Sequence, residues 1–183
     1  MPRANLNKER IFEAAARLAN ENGFAALSLK DIAMHFNVKP PSLFKHVRDL
    51  AEIKDALAVS GLTKLRGMVT SANGKNATER LAAVLYAYRD FAKKFPGEYD
   101  AFQETHVLRS PAVYKIGEEV LATFVAALPD RLKAAEKIHA LRFLRSSIHG
   151  FVMLEKNGGF GLAEDVDESF RRMTKQLLDL FGN

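Results

Sequence analysis

Cysteine is absent from the 183 residues, which excludes disulfides and thiolate-ligated metal sites. No apolar run approaches the ~18 residues a membrane-spanning helix needs. The opening stretch MPRANLNKER is polar, and no signal-peptide apolar core follows it. The expectation is a chain without membrane contact, working in the cytoplasm. No segment alternates polar and apolar residues for long enough to read as a strand, and no internal repeat is present. Catalytic signatures are missing as well. The five histidines, His35, His46, His106, His139 and His149, include no i,i+4 pair and no HExxH. Glu104 and His106 are two residues apart and diverge on a helix. The stretch NGGFG follows a helix rather than leading from strand to helix, so it is no phosphate loop. There is no nucleophile elbow. An enzyme is therefore not expected: no catalytic residue, no metal ligand and no cofactor. A metal site assembled from separate helices is the one such route left open.

Apolar residues make up 48% of the chain, enough for a globular core. The net charge is +5, and its distribution is uneven. Residues 1–50 hold 8 basic and 5 acidic side chains; residues 51–183 hold 19 and 17. Positive charge concentrated at one end suits an anionic partner such as nucleic acid, although a solvated surface gives the same tally.

Helical periodicity runs nearly throughout, which predicts an all-α chain. A first helix is expected from about Leu6 to Asn22, ended by Gly23. Ser28 caps a second, with Asp31 complementing its N-terminus. Asn37 marks a tight turn. A third, very short helix spans about Pro41 to His46, with Pro40 as its cap-like residue, because adjacent prolines cost little at a helix start. A fourth runs from about Asp49 towards Ser71. Further helices are expected over Thr78–Phe95, Tyr99–His106, Ser110–Ala127, Arg131–Lys156 and Glu164–Phe181, separated by SANGKN, Pro96-Gly97, Pro129-Asp130 and NGG. Arg89, Asp90, Lys93 and Lys94 lie off the apolar stripe of the fifth. The expected domains are residues 1–50 and 51–183, with the helix from about residue 49 linking them.

The helix over 131–156 is apolar around most of its circumference and needs cover on several sides. Ile138, Leu141, Ile148 and Val152 lie on one side; Phe143, Phe151 and Leu154 lie towards the other. The last helix carries Val166, Phe170, Met173, Leu177 and Leu180 at alternating spacings of four and three, a helix-packing seam. Phe143, Ser147, Phe151, Leu154, Phe170, Met173 and Leu177 are the candidate interface of a homodimer; packing within one subunit is the alternative.

Residues 28–47 fit a helix-turn-helix. Ile32 and small Ala33 face inward, Asn37 turns the chain, Val38 plugs the corner, and Leu43 with Phe44 anchors the second helix from beneath. Pro41 starts that helix, and Lys39, Ser42, Lys45 and His46 are left outward to meet DNA. Three-helix packing without DNA gives similar spacing.

The stretch IFEAAARLANENGFAALSLKDIAMHFNVKPPSLFKHV resembles the DNA-binding domain of TetR-family transcriptional regulators. The likeness rests on the Ala-rich first helix, Gly23-Phe24, the Ser-Leu-Lys-Asp-Ile-Ala segment and the Ser-Leu-Phe-Lys-His-Val end. Further on, YAYRDFAKKFPGEYDAF and SSIHGFVMLEKNGGFGL resemble the branch named for a Trp-His-Gly motif, with Ile148 in place of the tryptophan before His149 and Gly150. The resemblance implies a homodimeric, ligand-responsive repressor on a palindromic double-stranded operator, released by a small apolar or amphipathic effector. It implies DNA contacts around Lys30, Lys39, Ser42, Phe44 and His46. Phe44 replaces a usual tyrosine and Leu50 a frequent lysine, which removes a phosphate hydrogen bond and a cationic contact. A helical sensor or interaction protein without specific DNA binding is the alternative.

Tyr88, Phe91, Phe95, Tyr99, Phe102, His106, Phe124 and His149 could line an apolar effector cavity with a few polar anchors. Each aromatic fits an ordinary core equally well. His149 adjoins small Ser146, Ser147 and Gly150, so it can instead hydrogen-bond across a close helix contact.

Overall fold

The computed structural model describes residues 6–104 and 110–181, and all regular structure among them is helical. The α-helices are α1 (Lys8–Asn22), α2 (Leu29–His35), α3 (Leu50–Thr70), α4 (Ala77–Lys94), α5 (Pro96–Ala101), α6 (Pro111–Ala127), α7 (Ala134–Lys156) and α8 (Val166–Phe181). Short 3₁₀ turns cover Phe24–Ala26 and Pro40–Lys45. Two compact units result. One draws on Met1–Thr63 and Phe95–Ile116, the other on Lys64–Lys94 and Gly117–Asn183.

In the first unit, α1 is capped by Asn7, whose side chain accepts from the Arg10 amide at 2.9 Å. It ends at Gly23, which has φ of 89° and donates to the Ala19 carbonyl at 3.0 Å. The buried face of α1 is Ile11, Ala14, Ala15 and Ala19. Three alanines leave room for another backbone, and α5 occupies it. A Cβ placed on Gly97 would lie 2.2 Å from the Ala19 carbonyl carbon, so only glycine fits.

This corrects the expected boundaries of α5. Pro96-Gly97 does not interrupt helix; it opens α5, which ends at Ala101 instead of beginning near Tyr99. Proline tolerates the first helical position because its missing N–H has no intrahelical partner there. The residue in the cap position, Phe95, has no side-chain acceptor to offer. Asn20 of α1 supplies one: its Oδ1 accepts from the Gly97 amide at 2.9 Å and the Glu98 amide at 3.1 Å. Its Nδ2 donates to Glu98 Oε2 at 3.3 Å, while Ser60 Oγ of α3 donates to Glu98 Oε1 at 2.7 Å. Glu98 is thus fully buried yet hydrogen-bonded from two helices.

The start of α3 is also polar-latched. Asp49 accepts from the Glu52 amide at 2.8 Å, and Glu52 accepts from the Arg48 amide at 2.7 Å and from Lys8 Nζ at 2.5 Å. The Arg48 amide first, then Lys8, holds the Glu52 carboxyl down at about 2.

In the second unit, α4 buries Leu81, Val84, Leu85, Tyr88, Phe91 and Ala92 against α7 and α8. Ala140, Leu141, Leu144, Ile148 and Val152 are the buried side of α7, and Phe170, Thr174 and Leu177 that of α8. Ile138, grouped by periodicity with Leu141, is exposed one turn from the start of α7. Arg89 is a second departure: it is buried rather than off the stripe. Its Nε and Nη2 grip both oxygens of Glu155 at 2.8 and 2.5 Å, and Nη2 also reaches Asp167 at 2.6 Å. Its guanidinium lies 4.5 Å from the Phe170 ring centroid and 5.6 Å from that of Phe151. A bidentate partner on α7 and two adjoining aromatic rings, Phe151 and Phe170, 5.1 Å apart between centroids, make a buried arginine acceptable. The hydrogen bonds from Arg89 hold the Glu155 carboxyl below its usual value.

Candidate nucleic-acid interface

Ser28 caps α2 as expected, accepting from the Asp31 amide at 3.2 Å and donating to Asp31 Oδ2 at 2.5 Å. Ile32 and Ala33 are fully buried beneath α2. After His35 the chain reverses through Asn37, the only described non-glycine residue with positive φ, at 51°. Asparagine tolerates this left-handed conformation because its short polar side chain can bond locally. The Val38 amide returns to the Ala33 carbonyl at 3.0 Å, which locks the turn.

The chain then enters the Pro40–Lys45 turn, and here two expectations need correction. Lys39, with φ −83° and ψ 147°, is the cap-position residue; Pro40, not Pro41, is the first helical one. The first ladder bond runs from the Ser42 amide to the Lys39 carbonyl at 2.9 Å. Such an i→i+3 bond passes over the amides of the two intervening residues. Pro40 and Pro41 have no N–H, so the pair fits the start of a 3₁₀ turn without loss.

The second correction concerns Phe44. It does not anchor the turn from beneath; it is 52% exposed. Side chains three apart line up in a 3₁₀ helix. Leu43, fully buried, shares its line with half-buried Pro40 and His46. Phe44 is rotated a third of a turn away and shares an exposed line with Pro41. Lys39, Ser42 and Lys45 form the third line, with both lysines exposed and Ser42 half-buried. Leu43 and Val47 do the anchoring.

Lys30 is exposed on α2. Four residues on, and so on the same helix face, Met34 is 65% exposed; sequence reasoning passed over it, although that spacing from Lys30 was visible. Beside them, Arg17 Nη2 lies 3.2 Å from His35 Nε2, and the Arg10 guanidinium sits over the Phe36 ring at 5.8 Å. The unit therefore presents a short rigid turn with cationic and apolar lines, flanked by further arginines.

The model for bacterial regulatory proteins of the tetR family matches residues 11–53, and that for the tetracyclin repressor-like C-terminal domain matches residues 81–177. An uncharacterized HTH-type transcriptional regulator, YobS, of Bacillus subtilis (strain 168) is 36% identical over 172 residues, covering 92% of this chain and 88% of that protein. The chain belongs to the TetR family. It is a DNA-binding transcriptional regulator and not an enzyme. Solved structures agree on the TetR fold. A protein of unknown function from Rhodococcus sp. RHA1 superposes with a TM-score of 0.81 at 20% identity, covering all of both chains. BioQ with its natural double-stranded DNA operator gives 0.65 at 20% identity, covering 96% of this chain and 97% of that one. A TetR variant from Acinetobacter baumannii AYE in complex with minocycline gives 0.68 at 20% identity, covering 96% of each.

The residues considered for an effector fall within the two units of this TetR-family chain as follows. Tyr88, Phe91 and Phe124 are buried in the second unit, where the Tyr88 and Phe124 rings meet edge to face at 6.0 Å. His149, in the same unit, is half-buried; burial, then the nearby Arg145 charge, pushes its pKa below the usual value. Tyr99 and Phe102 are buried in the first unit, 5.4 Å apart between centroids, with Phe95 half-buried. His106 lies outside the described residues. Of the residues considered for a dimer interface, Phe170 and Leu177 are buried inside the second unit. Ser147, Phe151 and Met173 are half-buried, and Phe143 and Leu154 are exposed. No helix of the described chain is long and apolar enough to cross a membrane.

Proposed function

We propose that this regulator is a ligand-responsive repressor acting in the cytoplasm. Residues 1–50 form its reading head, and residues 51–183 bind the effector and dimerise. Two heads of a homodimer engage a palindromic operator through Lys30, Lys39, Pro41, Ser42, Phe44, Lys45 and His46. A small apolar or amphipathic molecule, bound by residues 51–183, releases the DNA. The observation that carries this reading is the Pro40–Lys45 turn: Leu43 is buried, while Lys39 and Lys45 project from an adjacent line. The operator held by BioQ and the minocycline held by the TetR variant support both halves of it by analogy of fold.

The test is selection of duplexes from a random library by the full chain, followed by gel shifts at several salt concentrations. Lys39→Ala with Lys45→Ala should weaken binding and flatten the slope of log affinity against log salt by about 2 if both lysines neutralise phosphates. Unchanged affinity would show that this turn is not the reading element. Recovery of no preferred duplex would leave the alternative, a helical sensor without specific DNA binding.

A further inference from the structure

We propose that the cleft between α4 and the start of α8 binds a zwitterionic small molecule of the α-amino acid class. The site goes beyond the repressor reading. None of Tyr88, Phe91, Phe124 and His149 lines it, and its ligand is charged where the proposed effector is apolar or amphipathic.

The cleft has a volume of about 460 Å³, within the ~300–1,000 Å³ of small-molecule sites. Its lining is charged apart from Tyr86, so an apolar occupant would strip water from those charges and replace it with nothing. One wall is a single face of α4, where Tyr86, Arg89, Asp90 and Lys93 recur at spacings of three and four. The other wall is the first turns of α8 with Asp165 just before them.

Charges of both signs have unused capacity there. Arg89 spends Nε and Nη2 on Glu155 and Asp167. That leaves the two N–H groups of Nη1, which donate to no described residue and are not sealed from solvent. The Glu155 grip and the Phe170 ring hold the guanidinium in place, so its free end is fixed in direction. A donor fixed in advance loses little freedom when an acceptor arrives. Exposed Lys93 adds a second cation, 3.3 Å from Glu155. On the acidic side, exposed Asp90 makes no hydrogen bond or ion pair with any described residue. Asp165 uses Oδ1 on the Asp167 amide at 2.9 Å and keeps Oδ2. Glu168, by contrast, holds Arg171 through both oxygens at 2.6 and 2.7 Å, so that pair offers neither sign. A carboxylate suits Arg89 Nη1 and Lys93, and an ammonium suits Asp90 and Asp165. An α-amino acid carries both on one small skeleton. A lone anion or a lone cation would leave one of the two sets unanswered.

The experiment uses the full chain without DNA. Each proteinogenic L-amino acid is titrated separately, with binding read by calorimetry and as a rise in melting temperature. One amino acid, or a group of related ones, should bind. Its decarboxylated amine and its N-acetyl derivative, each lacking one charge, should bind about tenfold more weakly, the ratio that corresponds to one hydrogen bond to a charged group. Asp90→Asn and Lys93→Gln should each weaken the amino acid by a similar factor while helical circular dichroism stays unchanged. A chain that binds no amino acid overturns the proposal. Binding that both substitutions leave intact puts the ligand elsewhere and overturns the site. Equal affinity for the amine or the N-acetyl derivative overturns the zwitterion assignment. None of these outcomes bears on DNA binding, which the duplex selection tests separately.

Discussion

Glu52 shows how much one side chain can fasten. It takes the Arg48 amide and the Lys8 ammonium at once, and its pKa falls from 4.5 to about 2. A carboxyl whose folded value lies below its unfolded value stabilises the fold fully above about pH 4.5; that contribution fades as pH falls towards 2. Glu52→Gln should therefore lower the melting temperature at pH 7 and flatten its decline between pH 4.5 and 2. A proton-coupled chemical-shift titration of the wild-type carboxyl near 4.5 would contradict this. Phe44 makes the complementary point. Its identity was legible in the sequence, but its direction depended on whether the turn repeats every 3.6 residues or every three. Two prolines decided for three, and the ring faces outward.

At the scale of elements, the close contact of α5 with α1 is the least forgiving. Gly97→Ala puts a methyl against backbone atoms of Ala19 and Asn20 that cannot rotate away. Overpacking typically costs about 1–3 kcal/mol, and the upper part of that range is expected here in chemical denaturation. Asn20→Ala removes the acceptor that caps α5 and should cost about 1 kcal/mol. Wild-type stability in either variant would mean the contact is looser than described. Pro96-Gly97 was legible as a break, but its contact with α1 was not, because Asn20 and Gly97 are 77 positions apart. Arg89 was expected off the apolar stripe for the same reason: its partners Glu155 and Asp167 come from the far end of the chain. By contrast, Gly23, Ser28 with Asp31, and Asn37 act on atoms within a few residues of themselves. Their roles were readable in advance because local backbone chemistry does not wait for tertiary packing.

At the scale of the whole molecule, the second unit leaves apolar side chains uncovered. Phe143 is 48% exposed and Leu154 50%. Eleven residues separate them, about three helical turns, so they share one face of α7. Phe170 and Leu177 are buried inside the unit, so the homodimer proposed above would have to draw on these exposed groups instead. Phe143→Glu with Leu154→Glu should convert a dimer to a folded monomer in sedimentation, with unchanged helical circular dichroism. Affinity for a two-site operator should then fall by roughly 10²-fold or more, because one head can no longer raise the local concentration of the other. A wild-type chain that sediments as a monomer at micromolar concentration would remove the basis for a palindromic site.

The two prolines have one more consequence, and it is thermodynamic. With φ fixed at both, Pro40-Pro41 leaves the reading turn few conformations to give up on docking. Binding then carries little of the ordering entropy that a segment folding against DNA must meet. Its heat-capacity change should come mainly from the apolar surface covered rather than from coupled folding. If the turn reads DNA as proposed, its surface is set when the protein folds, not when it meets an operator.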